Sequence, residues 1–171
     1  FLKPDGSLWQ AGEIWCQPLL AATLERIALE GRAGFYGGTT ARLIAADMKA
    51  HGGLITEADL TAYEARERRP VRGRWRGMEV YSMPPPSSGG IALIEMLNML
   101  EGDDLKSAGH NSAPYLHLLA ETMRRGFADR AQFCGDPDFN PGLPAERLLS
   151  KVHAAALRRT IHMEKASVSD P

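Results

Sequence analysis

Residues 91–100 form an apolar run, Ile91-Ala92-Leu93-Ile94-Glu95-Met96-Leu97-Asn98-Met99-Leu100, interrupted only by Glu95 and Asn98. A run with no polar face predicts a helix enclosed on most sides rather than one lying on a surface. Immediately before it stands Met83-Pro84-Pro85-Pro86-Ser87-Ser88-Gly89-Gly90. Three prolines remove three backbone donors and fix φ, so this approach is predicted to be extended and polyproline-like. Ser87 and Ser88 are expected to cap the helix, with Gly89 and Gly90 in its first turn.

The rest of the pattern arranges itself around that helix. Leu20, Leu24 and Ile27 recur at helical spacing across 18–30, with Pro18 suited to the first turn and Gly31 as the stop. Leu43, Ile44 and Met48 mark a second helix from Thr39 or Thr40 to Gly52-Gly53, after a glycine-rich turn in which Phe35 and Tyr36 pin the loop. Thr56 with Asp59 three positions on reads as a capping-box start for a short helix through Tyr63. Residues 70–76 and 78–83 alternate as a hairpin turning at Arg74-Trp75-Arg76-Gly77. Residues 112–133 predict a long helix whose inward stripe is Leu116, Leu119, Ala120, Met123, Phe127 and Ala131. A breaker-rich loop over 134–144 and two short helices over 144–149 and 152–161 follow. Leu8-Trp9 between two turn signals suggests a strand or hairpin arm within 1–14, and the polar end, 165–171, is expected to fray.

Composition narrows the function classes. The 171 residues carry a formal net charge of −1, which offers no electrostatic footprint for nucleic acid or an anionic membrane surface. No apolar run approaches the roughly 20 residues of a membrane span. Neither an initiator Met nor a signal-peptide pattern opens the chain, so it is expected to begin after processing or inside a longer polypeptide. Cys16 and Cys134 stand in no metal or redox spacing and read as two buried free thiols, with a disulfide as the alternative. The arginine-dense stretch 66–76, beside Glu64, Glu67 and Glu79, reads as a solvated, partly paired face.

Candidate chemistry is sparse. No catalytic set is complete: Ser87 and Ser88 lack a nucleophile elbow and a sequence-placed base. Ser87, Ser88, Gly89 and Gly90, at a helix start with exposed donors, form a candidate anion site. His117 and Glu121 lie one helical turn apart but lack a third metal ligand, so they read as a surface pair. No metal or cofactor is expected. From the residues alone the chain is an α+β, helix-rich domain with a short β-hairpin.

Several strings taken together resemble the large subunit of the γ-glutamyltranspeptidases, also called glutathione hydrolases. Met83-Pro84-Pro85-Pro86-Ser87-Ser88-Gly89-Gly90 with Leu97-Asn98-Met99-Leu100-Glu101 carries the resemblance. Supporting strings upstream include Leu20-Ala21-Ala22-Thr23-Leu24, Gly34-Phe35-Tyr36-Gly37-Gly38 and Arg69-Pro70-Val71. Downstream are Glu121, Ala128-Asp129-Arg130 and Gly135-Asp136-Pro137-Asp138-Phe139. Leu19 departs from the acidic residue the family often has there.

The resemblance implies part of an Ntn-hydrolase αββα sandwich, with 1–171 as a single segment, the C-terminal half of the large subunit. It also implies a zymogen that cuts itself, so that an N-terminal threonine on a small subunit attacks the γ-glutamyl amide of glutathione-like substrates, with its own α-amino group as base. That threonine and the Thr-Thr-His processing stretch are expected beyond Pro171, and the arginine that receives the substrate carboxylate ahead of Phe1. No catalytic residue is therefore assigned to this chain. The implied partners are the small subunit, the N-terminal half of the large subunit and a small-molecule γ-glutamyl substrate, in the periplasm or outside the cell. Asp129 and Arg130 are expected to form a buried ion pair. Related acylases, including cephalosporin acylases, share these strings, and an autonomous helical anion-binding module is the alternative of a different class.

Overall fold

The computed structural model describes residues 2–169. It is α+β and helix-rich, and its one sheet among the described residues is the two-stranded β1-β2. The chain divides into two compact units, Phe1–Arg66 and Glu67–Pro171.

The first unit holds α1 (Pro18–Glu30), α2 (Ala33–Tyr36), α3 (Gly38–Ala50) and α4 (Glu57–Ala62). Pro18 sits in the first turn of α1, as its missing N–H allows. The Arg26 guanidinium donates to Thr40 Oγ1, whose hydroxyl donates to the Gly34 carbonyl at 2.7 Å, which ties α1, α2 and α3 together. Thr56 and Asp59 exchange both bonds of a capping box at α4. Tyr36 stacks on Tyr63 with ring centroids 5.0 Å apart, the pinning role expected of this turn. Residues 2–14 form turns instead of the expected strand or hairpin arm. Gly6 and Gly12, at φ +83° and +90°, take the left-handed conformation and break the extended run. The α1 stripe is not a core face within this unit, since Leu20 and Leu24 remain exposed.

The second unit is built on α5 (Gly89–Leu100). The hairpin β1 (Val71–Trp75) and β2 (Met78–Ser82) pairs antiparallel, with Val71 opposite Ser82 and Trp75 opposite Met78. Its two-residue turn needs positive φ twice, met by Arg76 at +47° and Gly77 at +84°. After a one-turn helix, α6 (Leu105–Ala108), the long α7 (Ala113–Phe133) is capped by Ser112, whose hydroxyl accepts the Tyr115 N–H. Helices α8 (Ala145–Leu148) and α9 (Lys151–Arg159) complete the unit. Against α5 pack β1, β2, α7, α8 and α9. Its Gly90, Ile91, Ala92, Ile94, Glu95, Met99 and Leu100 are buried, so the enclosure read from the apolar run holds. Val71, Ile91, Ile94 and Leu148 form one core, and Leu100, Leu118 and Ile161 a second.

Several expectations are corrected here. The proline run is not continuously extended: it turns at Pro85-Pro86, where the peptide bond is cis. The inward face of α7 is Leu118, Glu121, Thr122 and Gly126, while Leu116, Met123 and Phe127 are exposed. The helix turns this face inward because Gly126 lets α5 approach: a Cβ there would lie 2.9 Å from Met96 Cγ. Cys16 is exposed rather than buried, Cys134 is half-buried, and both are free thiols. The tail is held as far as Ser169, whose hydroxyl accepts from Arg124 at 2.7 Å. Residues 170 and 171 lie outside the described residues.

Candidate functional site

Three helices of the second unit bring ionisable groups to one place. Glu95 is the single charged residue of α5 and is 1% exposed. Asp129 comes from α7 and His153 from α9, where Ser150 caps the helix by accepting the His153 N–H at 3.2 Å and so sets the register of the imidazole. His153 Nε2 lies 2.5 Å from Asp129 Oδ2 and 3.5 Å from Glu95 Oε1. Glu95 Oε1 finds no hydrogen-bond partner among the described residues. Burial first, then the Asp129 carboxylate beside it, pushes Glu95 up to about 9 against the opposing attraction of Arg147. The same surroundings act on Cys134, whose thiol is raised by burial and by the charges of Glu95 and Asp129, with Arg130 opposing. Such a trio can share protons or surround a cation.

The proline motif leads into the same helix. Ser88 occupies the N-cap position of α5 without a side-chain cap bond. Its hydroxyl instead accepts from Arg130 Nε at 2.7 Å, while Ser87 Oγ receives the Gly89 N–H at 3.4 Å. Ser88 is thus a tether to α7 and not a helix cap, because a guanidinium supplies a stronger donor than the backbone N–H groups it would otherwise accept. Gly90 is buried where a Cβ would meet the Met83 carbonyl oxygen at 2.2 Å. Its side-chain absence serves the close passage of the proline segment over the helix. Beside this segment a surface cleft of ≈ 500 Å³ is lined by Arg68, Arg69, Pro84, Pro85, Pro137 and Leu143, among others.

The family model described as "Gamma-glutamyltranspeptidase" matches residues 1–171, the whole chain. The chain belongs to the γ-glutamyltranspeptidase family. It is 44% identical over 165 residues to the glutathione hydrolase proenzyme of Escherichia coli K12, covering 96% of this chain and 28% of that protein. It is equally, 44%, identical over 165 residues to the "Acylase ACY 1 proenzyme" of Pseudomonas sp. SE83, with 96% and 29% covered. The crystal structure of Helicobacter pylori γ-glutamyltranspeptidase superposes with a TM-score of 0.85 at 41% identity, over 98% of this chain and 48% of that one. The chain therefore spans less than a third of the length of the curated relatives it matches.

Within this family frame, two residue pairings differ from expectation. Asp129 and Arg130 do not pair with each other: the Asp129 carboxylate engages His153, and the exposed Arg130 engages Ser88. Successive helix positions point about 100° apart, so neighbours in sequence serve different partners. His117 and Glu121 do not form a surface pair either. The His117 ring contacts the His162 carbonyl at 2.9 Å, while Glu121 is 3% exposed and takes Arg125 at 2.7 Å. Ser167 donates to Glu121 through its backbone N–H at 2.9 Å and its hydroxyl at 2.5 Å. With the Arg125 bond these hold the Glu121 carboxyl down to about 2. Among the functional candidates, Glu95 and His153 escaped the sequence reading. A lone acid in an apolar helix was the available signal for Glu95, and for His153 there was none.

Proposed function

We propose that this chain is the scaffold portion of a γ-glutamyl transferase/hydrolase, formed from a precursor and completed by a small subunit and the remainder of the large subunit. The observation that carries this reading is the family match along the whole chain, joined to its 44% identity with a glutathione hydrolase proenzyme. In this reading a threonine at the start of the small subunit attacks the γ-glutamyl amide of a glutathione-like substrate. The acyl-enzyme then passes to water or to an acceptor amine. The residues described here hold no part of that reaction and act by shaping the support: α5 is the pillar, and the Met83–Gly90 passage fixes its start. The periplasm or the extracellular space is the expected compartment, and no helix among the described residues is long and apolar enough to cross a membrane.

A second reading has a specific observation behind it. The acylase relative is as similar as the hydrolase, so overall similarity along this chain does not separate the two acyl groups. The full-length processed protein, assayed in parallel on a γ-glutamyl anilide and on a cephalosporin-type side-chain amide, separates the two. A kcat/KM at least tenfold higher on the γ-glutamyl substrate supports the first reading. The opposite ranking supports the acylase, and enzyme-like turnover by these 171 residues alone overturns both.

A further inference from the structure

The γ-glutamyl reading leaves the Glu95, Asp129 and His153 trio without a task. Two of its side chains are acidic, and the fully buried one presents an oxygen with no hydrogen-bond partner among the described residues toward the imidazole nitrogen 3.5 Å away. The three donor atoms, one from each side chain, all lie within 4.8 Å of one another. They are carried by three packed helices, not by loops, with α5 in contact with both α7 and α9. We propose that Glu95, Asp129 and His153 form a three-ligand site for a divalent transition-metal ion of the zinc class.

Charge, ligand type and spacing support this assignment. Once the protons they share have left, two carboxylates and a neutral imidazole carry −2, which a dication balances inside a site where an unpaired buried charge is heavily penalised. A mixed nitrogen and oxygen set with three protein donors and a free position suits zinc. It does not suit calcium, which gathers six to eight oxygens, or magnesium, which demands a near-ideal octahedron. Metal-ligand bonds of about 2.0–2.2 Å place tetrahedral neighbours roughly 3.3–3.6 Å apart. Glu95 Oε1 and His153 Nε2, at 3.5 Å, already stand at that separation. Asp129 Oδ2, at 2.5 Å from the imidazole nitrogen, must withdraw by about 1 Å as the metal takes the place of the shared proton. Binding requires the neutral imidazole and both carboxylates, so protons bound by the trio leave to solvent. The assignment rests on these three side chains and not on the γ-glutamyl reading.

The test uses the full-length protein, stripped with a chelator, desalted and loaded with zinc alone. Wild type is expected to retain one zinc per chain and to melt at a higher temperature with zinc than with chelator. Glu95→Gln, which keeps the shape, and His153→Gln are each expected to weaken zinc binding about tenfold or more and to abolish the melting shift. Circular dichroism verifies that both variants fold, and either one suffices if the other does not. Retention of no zinc by wild type overturns the proposal, as does zinc binding that is unchanged in a folded variant. Because metal content and melting are read without turnover, neither outcome depends on which substrate the enzyme accepts.

Discussion

Ser167 is fastened to Glu121 twice, its backbone N–H reaching Oε1 at 2.9 Å and its hydroxyl reaching Oε2 at 2.5 Å. Arg125 reinforces the clasp by donating to Glu121 and to the Thr160 carbonyl, so the segment after α9 is bound to the buried face of α7. The ends of domains are poorly ordered unless tied down in this way. A polar composition alone therefore misjudges the tail, because it cannot show that a buried carboxylate awaits it.

The clasp sets an acid limit. Glu121 is held at about 2, below its ordinary 4.5, so the unfolded chain binds the proton more readily than the native one. Its contribution is fully present above about 4.5 and is lost as pH falls toward 2. Thermal melting of the full-length protein between pH 7 and pH 2.5 is expected to decline more steeply for wild type than for Glu121→Gln. Parallel declines would show that Glu121 does not carry the effect. Glu121→Ala is expected to lower stability at pH 7 by about 1–3 kcal/mol, because it removes the acceptor of the Ser167 N–H and hydroxyl and of one Arg125 N–H.

The partners of Asp129 and Arg130 are open to a double-mutant cycle. With Asp129 bound to His153 and Arg130 to Ser88, Asp129→Ala and His153→Ala are expected to couple by about 0.5–3 kcal/mol in chelator. Asp129→Ala and Arg130→Ala are expected to be additive within about 0.5 kcal/mol. Denaturant unfolding of the three single and two double variants checks this, and coupling confined to the Asp129–Arg130 pair would restore the ion pair expected from their adjacency.

Two glycines, Gly90 within α5 and Gly126 on α7 facing it, are expected to behave differently when given a methyl group. At Gly90 the new Cβ would meet a backbone oxygen 2.2 Å away, which cannot move without shifting the proline segment. Gly90→Ala is expected to destabilise by about 1–3 kcal/mol, as overpacking does. At Gly126 the obstacle is the flexible Met96 side chain at 2.9 Å, and the gain in helix propensity of about 1 kcal/mol offsets most of the strain. Gly126→Ala is expected to destabilise less than Gly90→Ala, because a side chain yields more readily than a backbone carbonyl, and chemical denaturation of the two variants compares them directly.

In the first unit, Thr56→Ala removes the acceptor of the Asp59 N–H and one half of the capping box. The loss is expected to be about 0.5–2 kcal/mol and local to α4. Faster amide hydrogen exchange confined to 57–62 would match this, and unchanged exchange there would contradict it.

The elements that local chemistry specifies were legible in the chain. The capping box at Thr56, the stop at Gly31 and the hairpin at Arg76-Gly77 depend on residues within a few positions of one another. Enclosure of α5 was legible too, since a helix without a polar face has no side to turn to water. The faces of α1 and α7 were not. Periodicity locates a stripe, but which stripe is covered depends on where a neighbouring helix can come close, and on α7 that is at Gly126, away from Phe127 and Met123.

The sequence by itself determined the order of the longer helices and the hairpin, the buried pillar and, through its motif strings, the family, because each is written in short-range pattern; it missed the one-turn helices α2 and α6 and expected a strand in 1–14. Tertiary structure alone decided that Glu95, Asp129 and His153 meet, since 58 positions and three intervening helices separate the first from the last. It also decided that Ser88 tethers Arg130 and that Glu121 holds the tail. A side chain's partner across space is set by helix packing and rotation, and those follow from the shapes of the surfaces that close on each other.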